Sequence, residues 1–421
     1  MDLTYNEHNQ LALQDIPLTE LQETYGTPLF VYDENHIRNQ CRRFHQSLKN
    51  SGVEYTVSYA SKAFSSIQLF RIMNEENMGL DVVSDGELYT ALKAGFPAEH
   101  IHFHGNNKTN EEIRYALEAG IGLFVVDSLS EVDRIDALAN GPVDVLLRVN
   151  PGVEAHTHEF IQTGQEDSKF GLSLLHGLAL KGIRKIEASR HLNLKGIHFH
   201  IGSQIFGTEG TTATIKKVIH WLNDHDIHIE KLNIGGGFSI QYTDEDVRYP
   251  IEDAIKEITD TLRSVCEEVD YPLPELMMEP GRAIVGEAGI TLYTVGTIKD
   301  IPNTNTYVSI DGGMSDNIRT SLYDAKYTVK LANRRTEDQL IRTTIAGKLC
   351  ESGDIIAKDI SLPHVEAGDL LCVLATGAYH YSMASNYNQM RKPAVVFVKD
   401  GQHRLVIKRQ SFEDLVANDV M

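Results

Sequence analysis

Cysteine is scarce in this chain and paired cysteine spacing is missing: Cys41, Cys266, Cys350 and Cys372 lie far apart, with no Cys-x-x-Cys. This excludes a disulfide frame or a cysteine zinc site as the organising feature and reads as the reduced thiols of a cytoplasmic protein. Long apolar runs are missing too, so no membrane span is expected. The opening residues, Met1 to Glu7, lack the basic and apolar segments of a secretory signal. Basic clusters are also lacking. The formal charge of −20 repels phosphates and anionic lipid, so neither nucleic acid nor membrane is an expected partner. Finally, Ser58 to Ser65 contains no glycine, which removes the Gly-x-Gly-x-x-Gly turn that an open dinucleotide-binding sheet places after its first strand.

What the chain does contain is an alternation of β-rich apolar runs with helical periodicity from Glu54 onward, the pattern of parallel βα units. The runs Glu54–Ala60, Gly79–Ser84, Ile101–Gly105, Leu123–Asp127, Asp144–Asn150, Leu194–Gly202, Lys231–Gly235 and Leu276–Glu279 predict the eight strands of a (β/α)8 barrel. Helices are expected at Ser65–Asn77, Gly86–Lys93, Glu111–Glu118 and Glu131–Leu138. Capping-box spacing opens two of them, at Thr109/Glu112 and Ser128/Glu131. The long polar connection Pro151 to Ser173 reads as a lid. After Arg282 the pattern becomes alternating and β-branched (Thr291–Thr297, Thr306–Ile310, Tyr327–Leu331, Asp369–Leu374, Ala394–Val398, Arg404–Lys408), which predicts a mostly antiparallel β domain. The expected division is residues 29–282 for the barrel and 1–28 with 283–421 for the β domain.

Barrel enzymes carry their reactive groups at the C-terminal ends of the strands. Here those ends hold Lys62, then His104 to Lys108, His198 to Gln204, Gly235-Gly236-Gly237 and Glu279-Pro280-Gly281-Arg282. Taken singly, the lysine is an ordinary solvated cation, the glycines a flexible turn, and Glu279 with Arg282 a surface ion pair. Together they are an amine for an aldehyde, a backbone cradle for phosphate, and an acid for a protonated ring nitrogen. That combination points to pyridoxal 5′-phosphate. His198 and His200, two apart on a strand, face the same way and admit a rival reading as ligands in a metal-dependent hydrolase. The Arg282 beside Glu279 opposes it, and no metal is expected. Three later stretches, Asp311 to Arg319 with Tyr323, Gly347 to Asp354, and Thr376 to Tyr379, are too polar for plain β structure, yet spacing alone assigns them only to turns.

The ordered motifs Tyr59-Ala60-Ser61-Lys62-Ala63, Ser84-Asp85-Gly86-Glu87-Leu88, Ser168-Lys169-Phe170-Gly171, His200-Ile201-Gly202-Ser203-Gln204, Gly235-Gly236-Gly237-Phe238, Glu279-Pro280-Gly281-Arg282 and Cys350-Glu351-Ser352 resemble those of the fold-type III pyridoxal-phosphate decarboxylases. The likeness runs over nearly the whole chain and is to the branch that acts on meso-2,6-diaminopimelate, releasing L-lysine and CO2. It implies that Lys62 takes the cofactor aldehyde, that His200 stacks on the ring, and that Glu279 pairs with the ring nitrogen. Ser203, Gly235, Gly236, Gly237, Gly281 and Arg282 would hold the phosphate, with Tyr379 closing over it. Arg282, Arg319 and Tyr323 would grip the distal carboxylate of the substrate and Glu351 its distal ammonium, while Cys350 would stand near the reacting carbon as a proton donor. A homodimer with shared active sites is implied, because in this family the Cys-Glu pair serves the partner subunit. Ornithine or arginine decarboxylation is the alternative on the same fold, and a non-catalytic relative would have lost Lys62 or Glu279. Phe64, Thr320-Ser321 and Lys348 depart from the family pattern.

Overall fold

The computed structural model describes residues 1–153 and 168–420; most of the segment expected to form a lid lies outside them. The chain divides into two compact units, Gln40–Ser239 with Arg248–Ala283, and Met1–Asn39 with Ile240–Val247 and Ile284–Met421.

The first unit is a closed barrel. Its strands are β1 (Tyr55–Ala60), β2 (Gly79–Val82), β3 (Ile101–Phe103), β4 (Leu123–Val126), β5 (Val143–Asn150), β6 (Leu192–His198), β7 (Lys231–Asn233) and β8 (Glu275–Met278). Each is parallel to the next, and β8 returns to β1. Parallel strands buried on both faces read as near-continuous apolar runs, which is why Leu123-Phe124-Val125-Val126 carries no alternation. The strands stop one to four residues short of the sequence reading at β2, β3, β4, β6, β7 and β8, so the polar residues at their ends stand on the rim and not in the ladder.

Helices start where polar residues cap them. Ser66, Ser84 and Thr109 each accept a backbone N–H from the first turn, and Thr109 with Glu112 forms the reciprocal capping box. Ser128 does only half of this. Its hydroxyl accepts from Glu131 N, but the Glu131 side chain turns inward, accepts from Asp127 N at 2.9 Å, and meets the Lys108 ammonium at 2.5 Å. Lys108 and Glu131 are 1 % and 0 % exposed, and the ammonium also donates to the carbonyls of Gly105 and Val125. A pattern that spells a cap thus spells a buried ion pair tying the segments after β3 and β4 together.

In the second unit the sheet runs Ile355–Leu362, Ile341–Ala346, Asn305–Ile310, Gly289–Ile301, Leu29–Asp33, Ala394–Lys399, Gln402–Ile407, with Val329–Leu331 and Leu370–Val373 off this path. Most pairings are antiparallel; Leu29–Asp33 with Ala394–Lys399 and Asn305–Ile310 with Ile341–Ala346 are parallel. The long strand Gly289–Ile301 changes partners along its length, Leu29–Asp33 and Leu370–Val373 near its start and Asn305–Ile310 beyond Val295. It therefore contributes to two apolar cores, one around Val31, Leu292 and Val396 and one around Val295, Val308 and Ile345. Here the expected division changes. Leu29–Asp33 hydrogen-bonds into this sheet, so the chain through Asn39 belongs with the β unit and not with the barrel. Its fully buried run Leu-Phe-Val-Tyr-Asp resembles a barrel strand in composition, and composition does not choose the partner.

Candidate active site

Lys62 lies in the single turn Ser61–Ala63 directly after β1 and is exposed. The turn is tethered on several sides. Ala60 N donates to Pro280 O at 3.2 Å, Ser65 Oγ to Ser61 O at 2.8 Å, and Tyr59 Oη to Phe64 O at 2.9 Å. A Cβ added at Gly281 would meet Ala60 and Ala63 at 3.1 Å, so the end of β8 and the lysine turn pack with almost no space between them. Phe64, a departure from the family pattern, is fully buried.

The glycine run after β7 approaches its neighbours equally closely. A Cβ at Gly235 would stand 2.7 Å from His200 Nδ1, one at Gly236 would collide with Glu279 O, and one at Gly237 would stand 2.6 Å from Gly202 O. Gly235 N donates to Asn233 Oδ1 at 2.9 Å and Gly236 N to His200 Nδ1 at 3.3 Å. Two of the run's three donors are therefore used to fix the loop, and Gly237 is the one that faces the Gly202-Ser203 turn. Arg282 Nη2 donates to Ser203 Oγ at 3.0 Å, which brings a nearly buried guanidinium, a hydroxyl and this backbone together as an anion cradle. His200 is half-buried, and burial together with the cations Lys62 and Arg148 holds its imidazole well below the usual value. A neutral ring suits a flat aromatic partner.

Glu279 is the most constrained group of the rim. Its Oε2 lies 3.1 Å from His198 Nε2, and its Oε1 lies 3.0 Å from His104 Nε2, off the ideal hydrogen-bond angle, and accepts from Asn233 Nδ2. Burial alone would raise this carboxyl; the facing imidazoles outweigh it and hold it well below the ordinary carboxylate range. Asp81, buried on β2, goes the other way, raised by burial and by the Glu279 charge. Two buried acids pushed apart in this way are a mark of a worked site. His104, His198 and Glu279 also present ligand atoms within 4.8 Å of one another, the one such group among the described residues. It contains His198 without His200, so the pair His198/His200 is not the one that a cation would find.

In the β unit, Arg319 is 8 % exposed, donates from Nε to Tyr327 Oη at 3.0 Å, and has the rings of Tyr323, Tyr379 and Tyr242 at 5.3, 5.7 and 5.8 Å. No carboxylate pairs with it among the described residues. Burial lowers its pKa, but the surrounding tyrosines more than compensate, so the guanidinium stays charged. Cys350 and Glu351 are exposed, and Cys350 N donates to Asn388 Oδ1 at 2.8 Å. Thr320 and Ser321, the other departures near Arg319, donate to Ile356 O and Gly353 O and so anchor the short helix Arg319–Tyr323.

Sequence reasoning assigned no role to Asn233, His104 or Tyr327. Asn233 ends β7 two residues before the glycine run, a strand-end position like those of the other rim groups. That position at the end of a barrel strand could have found it.

The site fits pyridoxal phosphate in its donors: an amine at a fixed turn, a cradle in which no Cβ can be added, and an ionised buried acid. Comparison with known proteins agrees. Residues 34–286 match the family model described as pyridoxal-dependent decarboxylase, pyridoxal binding domain. The chain is 60% identical over its whole length, and that of the relative, to diaminopimelate decarboxylase of Staphylococcus aureus. It is 48% identical to that of Bacillus subtilis, over 99% of this chain and 96% of the relative. A crystal structure of diaminopimelate decarboxylase from M. jannaschii in complex with L-lysine superposes with a TM-score of 0.92 at 34% identity, covering 100% of this chain and 98% of that one. The chain belongs to the pyridoxal-dependent decarboxylases, and within them to the diaminopimelate decarboxylases.

Proposed function

We propose that this protein removes CO2 from meso-2,6-diaminopimelate to give L-lysine, using pyridoxal 5′-phosphate. The observation that carries the substrate is Arg319. A buried guanidinium without a carboxylate partner is costly unless a ligand supplies the anion. A substrate with a second carboxylate supplies it, and a diamine-forming decarboxylase has no such group to bind.

When bound, the cofactor supplies an aldehyde that condenses with amines and a ring that accepts the electron pair left as CO2 departs. Lys62 would be the amine that holds the cofactor through that aldehyde. Ser203, Gly235, Gly236, Gly237, Gly281 and Arg282 would hold the phosphate, together with Tyr379. His200 would support the ring. Glu279, ionised, would pair with the ring nitrogen and favour its protonated form, which would stabilise the charge that develops during loss of CO2. Arg319, Tyr323 and Arg282 orient the substrate through its distal carboxylate and Glu351 through its distal ammonium, so that remote binding energy fixes the reacting end. Cys350 or Lys62 delivers the proton that completes lysine.

The test is CO2 release from meso-diaminopimelate against ornithine and arginine. Diaminopimelate is expected to be the preferred substrate, and Arg319→Ala to raise its KM about thirtyfold or more, since truncating one partner of a buried charge pair costs about 2–5 kcal/mol. Equal turnover of ornithine, or an unchanged KM in Arg319→Ala, would remove the assignment. A metal-dependent hydrolase would instead show bound metal and indifference to borohydride.

We also infer a cytoplasmic homodimer, in which Cys350 and Glu351 serve the partner's site. Their exposure supports this. A molar mass by light scattering equal to one 47.1 kDa chain would exclude the dimer.

A further inference from the structure

We propose that His198 is a positioning residue for the reaction: its ring holds Glu279 by one oxygen as a neutral donor, fixing the carboxylate in place without cancelling its charge. The inference rests on the cofactor reading above and adds a role for a residue to which that reading gives none.

The geometry assigns the tautomer. His198 Nε2 lies 3.1 Å from Glu279 Oε2, and a carboxylate can only accept, so Nε2 carries the hydrogen. His198 Nδ1 is buried and has no hydrogen-bond partner among the described residues. A proton placed there would be a buried positive charge with nothing to receive it, whereas a bare lone pair costs far less. Burial accordingly pushes this imidazole down to about 4, and the nearby Arg148 guanidinium adds to that, against the opposing pull of Glu279.

The neutrality matters. An imidazolium at this distance would form a closed ion pair with Glu279 and leave little charge for a third group. A neutral N–H restrains the oxygen and leaves the carboxylate its full charge. The count of acceptor positions agrees. An ionised carboxylate offers about four; Oε1 is occupied by Asn233 and approached by His104, and Oε2 takes His198. The remaining position is on Oε2, the oxygen whose direction His198 sets.

Two isosteric variants separate this role from simple space filling. His198→Gln brings an amide N–H near the former Nε2, whereas His198→Asn brings it near Nδ1. In His198→Asn the holoenzyme is expected to lose cofactor about tenfold faster on dialysis against a carbonyl scavenger, the loss of one hydrogen bond to a charged group. The bound cofactor's absorbance should change with pH at a shifted midpoint, and kcat should fall about tenfold with KM nearly constant. His198→Gln is expected to recover all three to within about threefold of wild type. The wild-type holoenzyme provides a measurement that needs no variant: 15N-histidine spectra should show His198 as the neutral Nε2–H tautomer between pH 6 and 8. Asn and Gln variants that equal the wild type, Asn and Gln variants impaired alike, or an imidazolium or Nδ1–H tautomer in wild type would each overturn the proposal. Wild type that takes up no pyridoxal phosphate would instead overturn the cofactor reading itself.

Discussion

Lys62→Ala is expected to lower CO2 release from diaminopimelate by about 10³-fold or more, and to abolish the borohydride-dependent attachment of cofactor to the chain. The size of the effect follows from what the residue does. It is the one side chain assigned to hold and hand over the cofactor aldehyde, and no neighbouring lysine stands in the same turn. Structure should be spared. Lys62 is exposed, and the turn that carries it is held by backbone and hydroxyl hydrogen bonds from Ala60, Ser65 and Tyr59, none of which involves the lysine side chain. Unfolding stability should therefore change by no more than about 0.5 kcal/mol. Loss of activity with an unchanged unfolding curve places the lysine in the chemistry, whereas wild-type turnover in Lys62→Ala would refute the mechanism.

Glu131→Ala should show the opposite profile, a large loss of stability from a residue with no part in the reaction. Its carboxylate and the Lys108 ammonium are both sealed from solvent. Removing the acid leaves a buried ammonium that, among the described residues, faces only the carbonyls of Gly105 and Val125. Breaking a buried pair from one side costs about 3–5 kcal/mol, while replacing both partners with apolar residues of similar volume can be close to neutral. The urea midpoint of Glu131→Ala should fall accordingly, and Lys108→Met with Glu131→Leu should recover much of it. A single variant within about 1 kcal/mol of wild type would show that water reaches the ammonium, contrary to the packing.

The two residues also show what was legible in the sequence. Lys62 could be found because its neighbours follow the family motif, and because barrel strands announce themselves as separate apolar runs of the right number. Ser128 and Glu131 have the spacing of a capping box, as Thr109 and Glu112 do. The two differ only in that a lysine sits where it can draw Glu131 inward. That is a tertiary fact. The expected start of the barrel at residue 29 fails for a related reason: the mostly apolar, fully buried run Leu29–Asp33 records that a strand will be buried and not which sheet will bury it. The rim groups were legible as residue types, since histidine, glycine runs and acids at strand ends are unusual there. Their couplings were not, because the contacts from His104, His198 and Asn233 to Glu279 join segments remote in the chain.

The membership of Leu29–Asp33 in the β unit also bears on synthesis. On one side this strand pairs with Gly289–Ile301 and on the other with Ala394–Lys399, both of which leave the ribosome only after the entire barrel has been made. Until then an apolar strand with two open edges must wait on the nascent chain, a template for wrong pairing with other copies. The barrel, whose strands join neighbours in chain order, can close in the meantime. Leu29–Asp33 is thus a segment that gains from a chaperone during translation.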